Sequence, residues 1–456
     1  MTELTPNFND KTPLYDQLYR HIVSLIRSGE LTQGEKLPSK RRLAEHLGVS
    51  LTTVERAYGL LMAEGYLESY PRSGCRVAPS LTAIPAPPQP AAPPMQRKEE
   101  LDECFSTSAV DTSVFPFSTW ARLSREAVYQ NPDLLQRGEG QGDWSLRSAL
   151  SDFLHQYRGV NCSPEQVVLG AGLEGVLWVL LQLLPGAVFG LEDPGYGSLR
   201  RLLDNLGRRY VPVPVDEKGM SAAALERSGA EVAYVTPSHQ FPLGVTTPVG
   251  RRGELLRWAY EKPGRYLIED DYDSEFRYAS RPIPAMQGLD EGGRVIYVGT
   301  FSRTIAPSIR VAYLILPPEL LELYHQKFSH ASATVSRFEQ EALCRFLTSG
   351  AYGRHLRRVG NLYRKRRDAL CSALEGWGEL RGTDGGLHLL FTLPGREEMD
   401  LAHRAAGAGY RVRGLGEYCL GKDPLPGTLV LGFAGLPAKR AEGAVGDLKR
   451  AFVEKK

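Results

Sequence analysis

The chain has 456 residues, 42% of them hydrophobic and 24% charged, with a formal net charge of +2 at pH 7. That length exceeds what one hydrophobic core usually organises, so two or more domains of ordinary globular composition are expected. A near-neutral charge is no argument for nucleic acid or membrane by itself, and no apolar run approaches the roughly 20 residues needed to span a bilayer. The six cysteines (Cys75, Cys104, Cys162, Cys344, Cys371, Cys419) are scattered without a CxxC, so they read as reduced thiols of a cytoplasmic protein and no metal site is expected. The polar, acidic N-terminus does not have the pattern of a signal peptide.

Residues 1–78 read as a compact unit of short helices. LYDQLYRHIVSLI places Leu14, Leu18, Ile22, Leu25 and Ile26 on one helical face. SKRRLAEHLGVS is a second short helix closed by Gly48, and Ser50 caps a third, LTTVERAYGLLMAEG, that stops at Gly65. Two extended pieces around 66–70 and 75–78, joined by Pro71-Arg72-Ser73-Gly74, complete a winged helix-turn-helix layout. Residues 79–100 turn abruptly proline- and alanine-rich, which predicts a semi-rigid polyproline II linker.

Residues 101–456 alternate strand-like and helix-like runs: VVLGAGLEGVLWVLLQLL, AVFGLEDPGY, RRYVPVPVD, EVAYVTPS, RYLIEDDYDSEF and RVIYVGTFS. The pattern predicts an α/β domain with a mostly parallel sheet covered by helices, its functional loops at the carboxyl ends of the strands. VLWVLLQLLP suits a buried helix, and residues 352–456 read as a smaller α+β subdomain.

The first unit resembles the GntR family of winged-helix repressors, carried by LYDQLYRHIVSLIRSGEL, GEKLPSKRRLAEHLGVS and TTVERAYGLLMAEGYLES. The resemblance implies binding to double-stranded operator DNA. Ser50, Thr52 and Thr53 would enter the major groove at a helix N-terminus, Lys40 and Arg41 would clamp the backbone, and Arg72, Ser73 and Arg76 would serve on the wing. The family commonly carries arginine just after the cap serine; here it is Leu51, so a guanidinium contact is missing.

In the second unit the order of groups in YLIEDDYDSEFRY and GTFSRTIAPSIR describes a pyridoxal-phosphate site: an acid for the pyridine nitrogen, a tyrosine for the ring hydroxyl, then a phosphate-binding arginine. With EDPGYGSLR and VTPSHQFPLGVTTP these segments resemble fold-type I aminotransferases of the aspartate-aminotransferase fold. The pairing with a GntR-like head is identified as that of the MocR-type regulators. The resemblance implies that Asp270 pairs with the pyridine nitrogen, Tyr272 donates to the ring oxygen and Tyr196 stacks on the ring. The turn Gly170-Ala171-Gly172 with Ser302 and Arg310 would hold the phosphate. His239 and Gln240 lie near without an assigned role.

The departures fall in the same site. Arg303 stands where the family has its Schiff-base lysine, and a guanidinium stays protonated without a free lone pair to attack an aldehyde. Leu173 and Glu174 follow Gly172 where a hydroxyl and an amide are usual, and Val430 lies where an arginine would bind a substrate carboxylate, leaving Arg411 or Arg413. The expectation is therefore a transcription regulator, not an enzyme. Its body senses an effector related to pyridoxal phosphate or amino acids, with the cofactor held non-covalently at most, and it forms a head-to-tail homodimer. Two alternatives stand beside it: an aminotransferase with a fused head, and a ligand-free scaffold in which Asp270 and Asp271 are salt-bridged to Arg303.

Overall fold

The computed structural model describes residues 4–8, 12–71, 73–79, 101–278, 283–421 and 425–453. Arg72 and nearly all of the proline-rich stretch lie outside the described residues. The chain divides into two compact units, residues 1–98 and 99–456.

In the first unit, helices α1 (Leu14–Ser28), α2 (Lys40–Leu47) and α3 (Leu51–Ala63) precede the hairpin β1 (Leu67–Tyr70) and β2 (Gly74–Val77). Local signals set the ends. Gly29 and Gly48 take left-handed conformations after α1 and α2, while Ser39 and Ser50 accept main-chain N–H groups at the starts of α2 and α3. Leu18, Ile22, Leu43, Val54, Ala57, Tyr58 and Leu61 form the core, and the buried Tyr58 hydroxyl donates to the Pro38 carbonyl at 3.0 Å.

The second unit is built on an eight-stranded sheet. Its strands are β3 (Val167–Ala171), β4 (Phe189–Asp193), β5 (Tyr210–Asp216), β6 (Gly219–Met220), β7 (Val232–Val235), β8 (Tyr266–Asp271), β9 (Val295–Thr300) and β10 (Val311–Ile315). Their spatial order is β3-β10-β9-β8-β7-β4-β5-β6. The run β9-β8-β7-β4-β5 is parallel, β10 is antiparallel to both β9 and β3, and β6 is antiparallel to β5. β7, β8 and β10 are buried along their whole length, as expected for strands covered on both faces. The helices of this unit are α4 (Phe117–Gln130), α5 (Trp144–Arg158), α6 (Gly172–Leu183), α7 (Gly197–Asn205), α8 (Ala222–Ser228), α9 (Val249–Glu261), α10 (Pro318–Phe328), α11 (Arg337–Thr348), α12 (Ala351–Leu374), α13 (Glu398–Gly407) and α14 (Ala441–Val453).

The topology decides where the site can be. The carboxyl ends of β3, β4, β7, β8 and β9 lie along one edge, and the antiparallel β10 brings its amino end, with Arg310, to that same edge. A smaller antiparallel sheet, β11 (Glu379–Arg381), β12 (His388–Thr392), β14 (Thr428–Gly432) and β13 (Arg413–Gly414), packs with α12, α13 and α14 around a separate core of Tyr363, Leu370, Phe391, Leu431 and Leu448. The 24-residue α12 joins the two cores: Tyr352 packs in the first and Tyr363 and Leu370 in the second.

Candidate functional site

A cavity of about 150 Å³ opens at the carboxyl edge of the large sheet. It is lined by Tyr196, Phe241, Asp270, Tyr272, Ser302, Arg303 and Arg310, all but Phe241 foreseen from sequence. Ser108, Leu173, Glu174, Thr300 and Pro307 complete its wall.

Asp270 is the penultimate residue of the buried strand β8. One carboxyl oxygen accepts the Tyr234 hydroxyl, and the other, Oδ1, has no hydrogen-bond partner among the described residues. Burial pushes its carboxyl up to about 7; the Tyr234 hydrogen bond pulls the other way, and Asp271 and Asp273 add to the rise. Pleat alternation turns the neighbouring Asp271 to the opposite face, where it pairs with Arg158 at 2.7 Å and accepts the Tyr297 hydroxyl. The salt bridge of both aspartates to Arg303 that the ligand-free scaffold alternative supposes is not formed. Instead Arg303 Nη1 donates to the Thr107 carbonyl at 2.7 Å.

Tyr272 donates to the His239 carbonyl at 3.1 Å, so its hydroxyl already has an acceptor within the protein. His239 Nδ1 lies 3.1 Å from Asp273 Oδ2, and its Nε2 is buried without a partner among the described residues. His388 lies across from it with ring centroids 5.0 Å apart, donating from Nε2 to the Pro242 carbonyl at 2.9 Å. These two histidines and Asp273 form a buried group with ligand-type atoms within 4.8 Å of one another, an arrangement the sequence did not suggest. Burial drives the His388 imidazole down to about 3, which keeps it neutral. Gln240 bonds to Glu192 and to the Pro194 and Phe241 carbonyls, positioning the turn that carries Phe241. The rings of Tyr196 and Phe241 meet edge to face at 5.5 Å on the cavity wall.

At the other end of the cavity, β3 runs directly into α6, so Gly170 and Ala171 are strand residues and Gly172 is the first helical one. Ala171 donates its N–H to Thr334 Oγ1 at 3.1 Å. Gly172 is favoured by its φ of +79°, and a Cβ there would lie 2.2 Å from Arg310 Nη2, so the guanidinium would have to shift. Arg310 itself has φ 48°, the one non-glycine residue with positive φ among the described residues. Its guanidinium donates to Glu174 Oε2 at 2.8 Å. Ser302 is held by Thr300, whose Oγ1 accepts the Ser302 N–H at 3.1 Å. Arg411 pairs with Glu103 at 2.9 Å and Arg413 lies 3.9 Å from Glu417; neither lines the cavity.

The ring end of this cavity fits a pyridine: a buried carboxyl oxygen awaits a donor, with aromatic walls beside it. The phosphate end fits less well, because a carboxylate of the chain already occupies Arg310.

In the first unit, Ser50 Oγ accepts the Thr53 N–H at 3.2 Å and shares hydroxyl hydrogen bonds with Thr52 Oγ1 at 2.9 Å and Thr53 Oγ1 at 2.8 Å. The three hydroxyls thus cluster at the exposed start of α3, beside an exposed Leu51. Lys40 and Arg41 are the first two residues of α2, half-buried and exposed respectively. Arg76 departs from the expected free wing residue, since its Nη1 turns back to donate to the Gly34 carbonyl at 2.8 Å. Ser73 lies half-buried in the hairpin turn.

Residues 14–77 match the model for bacterial regulatory proteins of the gntR family, and residues 107–439 that for aminotransferase class I and II. The HTH-type transcriptional regulator YdeL of Bacillus subtilis is 38% identical over 99% of each chain. The probable rhizopine catabolism regulatory protein MocR of Rhizobium meliloti is 36% identical, covering 97% of this chain and 94% of its own. Among solved structures, an archaeal alanine:glyoxylate aminotransferase superposes with a TM-score of 0.70 at 25% identity, covering 77% of this chain and 91% of its own. With a gntR-type head, an aminotransferase-fold body and relatives aligned over nearly its whole length, the chain belongs to the MocR-type HTH transcriptional regulators.

Proposed function

We propose that this regulator senses a pyridine-ring effector, held without a covalent bond at the Asp270 cavity, and that occupancy changes the affinity of the head for operator DNA. The observation that carries the reading is Asp270: a fully buried carboxyl with one oxygen left without a partner at a cavity wall. Leaving such an oxygen bare is costly, and a protonated ring nitrogen would satisfy it as a charge-assisted hydrogen bond. Tyr196 and Phe241 would form the aromatic wall against which the ring lies, and Tyr272 and Arg303 would meet its polar substituents. Lys40, Arg41, Ser50, Thr52, Thr53 and Ser73 are the head residues assigned to DNA, with Arg76 supporting the wing through Gly34. The body is expected to pair two copies, so that two heads read a repeated half-site in the cytoplasm.

Aminotransferase turnover is not expected. Arg303 stands on the cavity wall at the position of the Schiff-base lysine, and a guanidinium has no free lone pair to attack an aldehyde. The scaffold reading draws on one observation, the Arg310–Glu174 pair, which closes part of the site without any ligand.

The test uses the full chain and a duplex selected from a random pool. Pyridine-ring compounds and amino acids are titrated while protein fluorescence and duplex affinity are read together. The reading requires a ligand that shifts duplex affinity and, by linkage, is itself bound more or less tightly by the same factor when DNA is present. Saturable binding with no change in duplex affinity would refute the regulatory role. Absence of any ring binding would leave the scaffold reading.

A further inference from the structure

The two ends of the cavity ask for different things. At the ring end an unpartnered carboxyl oxygen and aromatic walls suit a flat, protonatable heterocycle. At the other end, the first turn of α6 and the Arg310 guanidinium form the combination of helix N-terminus and arginine that a phosphate monoester seeks. Both are already engaged by an anion of the protein. Glu174 Oε2 accepts from Arg310 Nη2 at 2.8 Å, and the same carboxylate accepts its own main-chain N–H in the first turn of α6. The Leu173 side chain beside it offers no donor. The Arg310 guanidinium packs against Gly172, and both partners of the ion pair stay more than half exposed at the mouth of the site.

A phosphate dianion entering here would share Arg310 with Glu174, which holds its Nη2, and would lie beside that carboxylate as a like charge. A neutral hydroxymethyl group would disturb neither. We infer that Glu174 acts as a built-in counter-anion, and that the site selects a small protonatable nitrogen heteroaromatic bearing hydroxyl or carbonyl groups but no phosphate ester. This selection rests on the sensor reading of the same cavity.

Pyridoxine and pyridoxine 5′-phosphate are suitable probes, because neither carries an aldehyde that would label surface lysines. Their binding to the purified full chain and to the isosteric Glu174→Gln variant is measured by calorimetry, with inorganic phosphate as competitor. The wild-type chain is expected to bind pyridoxine at least about tenfold more tightly than its phosphate ester and to ignore inorganic phosphate. Glu174→Gln should reverse the order and make binding of the ester sensitive to inorganic phosphate. If the ester binds the wild-type chain as tightly as pyridoxine, or if Glu174→Gln leaves the preference unchanged, the inference is overturned while the sensor reading stands. If neither compound binds the wild-type chain, both fall together.

Discussion

Asp270→Asn separates the ligand-binding and stability roles of the site. In the free protein the Asp270 carboxyl is fully buried, accepts one hydrogen bond from Tyr234 and leaves its second oxygen bare. Burial raises it from 3.8 to about 7, which sets a ceiling of about 4 kcal/mol on the destabilisation carried by the ionised form. Because the folded form holds its proton more tightly than the unfolded chain, no penalty exists below about pH 4. Stability is then lost as pH rises toward 7, and the full cost is present above it. Asparagine keeps the volume and can still accept from Tyr234. Removing the Asp270 charge also relieves Glu192, whose carboxyl burial pushes up to about 7 with Asp270 contributing, while the new asparagine amide N–H group, buried without an acceptor, offsets part of the gain. We expect the ligand-free variant to be stabilised by roughly 1–3 kcal/mol at pH 8, about 1–4 °C in Tm for a body of this size. Thermal melts of the free chain at pH 5 and pH 8, read by near-ultraviolet circular dichroism, test this. The gain should narrow as pH falls, while binding of the ring ligand is lost. An equal change at both pH values, or destabilisation at pH 8, would refute the idea that Asp270 carries a desolvated charge.

Other outcomes follow from the same geometry. Joining Arg303→Lys to Glu174→Gln should give a borohydride-trappable adduct with pyridoxal phosphate, mapped to position 303 by peptide mass; the wild-type chain should give none there. Ser50→Ala removes the cap of α3 and the anchor of two threonine hydroxyls, and should cost the head about 1 kcal/mol in a denaturation experiment. Arg41→Ala should weaken duplex binding and reduce the slope of log affinity against log salt by about 1, as expected for one lost phosphate contact. Leu51→Arg should change the selected duplex sequence more than it changes binding to random DNA.

Much of the molecule was legible because its determinants are local. Ser39, Ser50, Gly29 and Gly48 mark helix ends through their own side chains or backbone freedom, so the helices of the head could be read one at a time. The alternation of β-rich runs with helical segments foretold a mostly parallel sheet, since each strand must reach a helix before the next begins. Motif order along the chain also singled out Asp270, Tyr272, Arg303 and Arg310, because strand ends in such a sheet converge on one edge.

What the tertiary structure decided depends on groups distant in sequence. The insertion of β10 between β3 and β9 sets Arg310 against Gly172 and Glu174, an ion pair spanning 136 residues. Charge alone does not say which arginine neutralises that glutamate; the packing pairs it with Arg310. Tyr234 on β7 holds Asp270, Phe241 joins the wall through a turn pinned by Gln240, and Arg303 is drawn to the Thr107 carbonyl. None of these pairings leaves a mark in periodicity or composition, because each is fixed by which strand lies beside which. The sequence by itself determined the two units and the kinds of groups at the site; the arrangement of the sheet determined which of them remain open to a ligand.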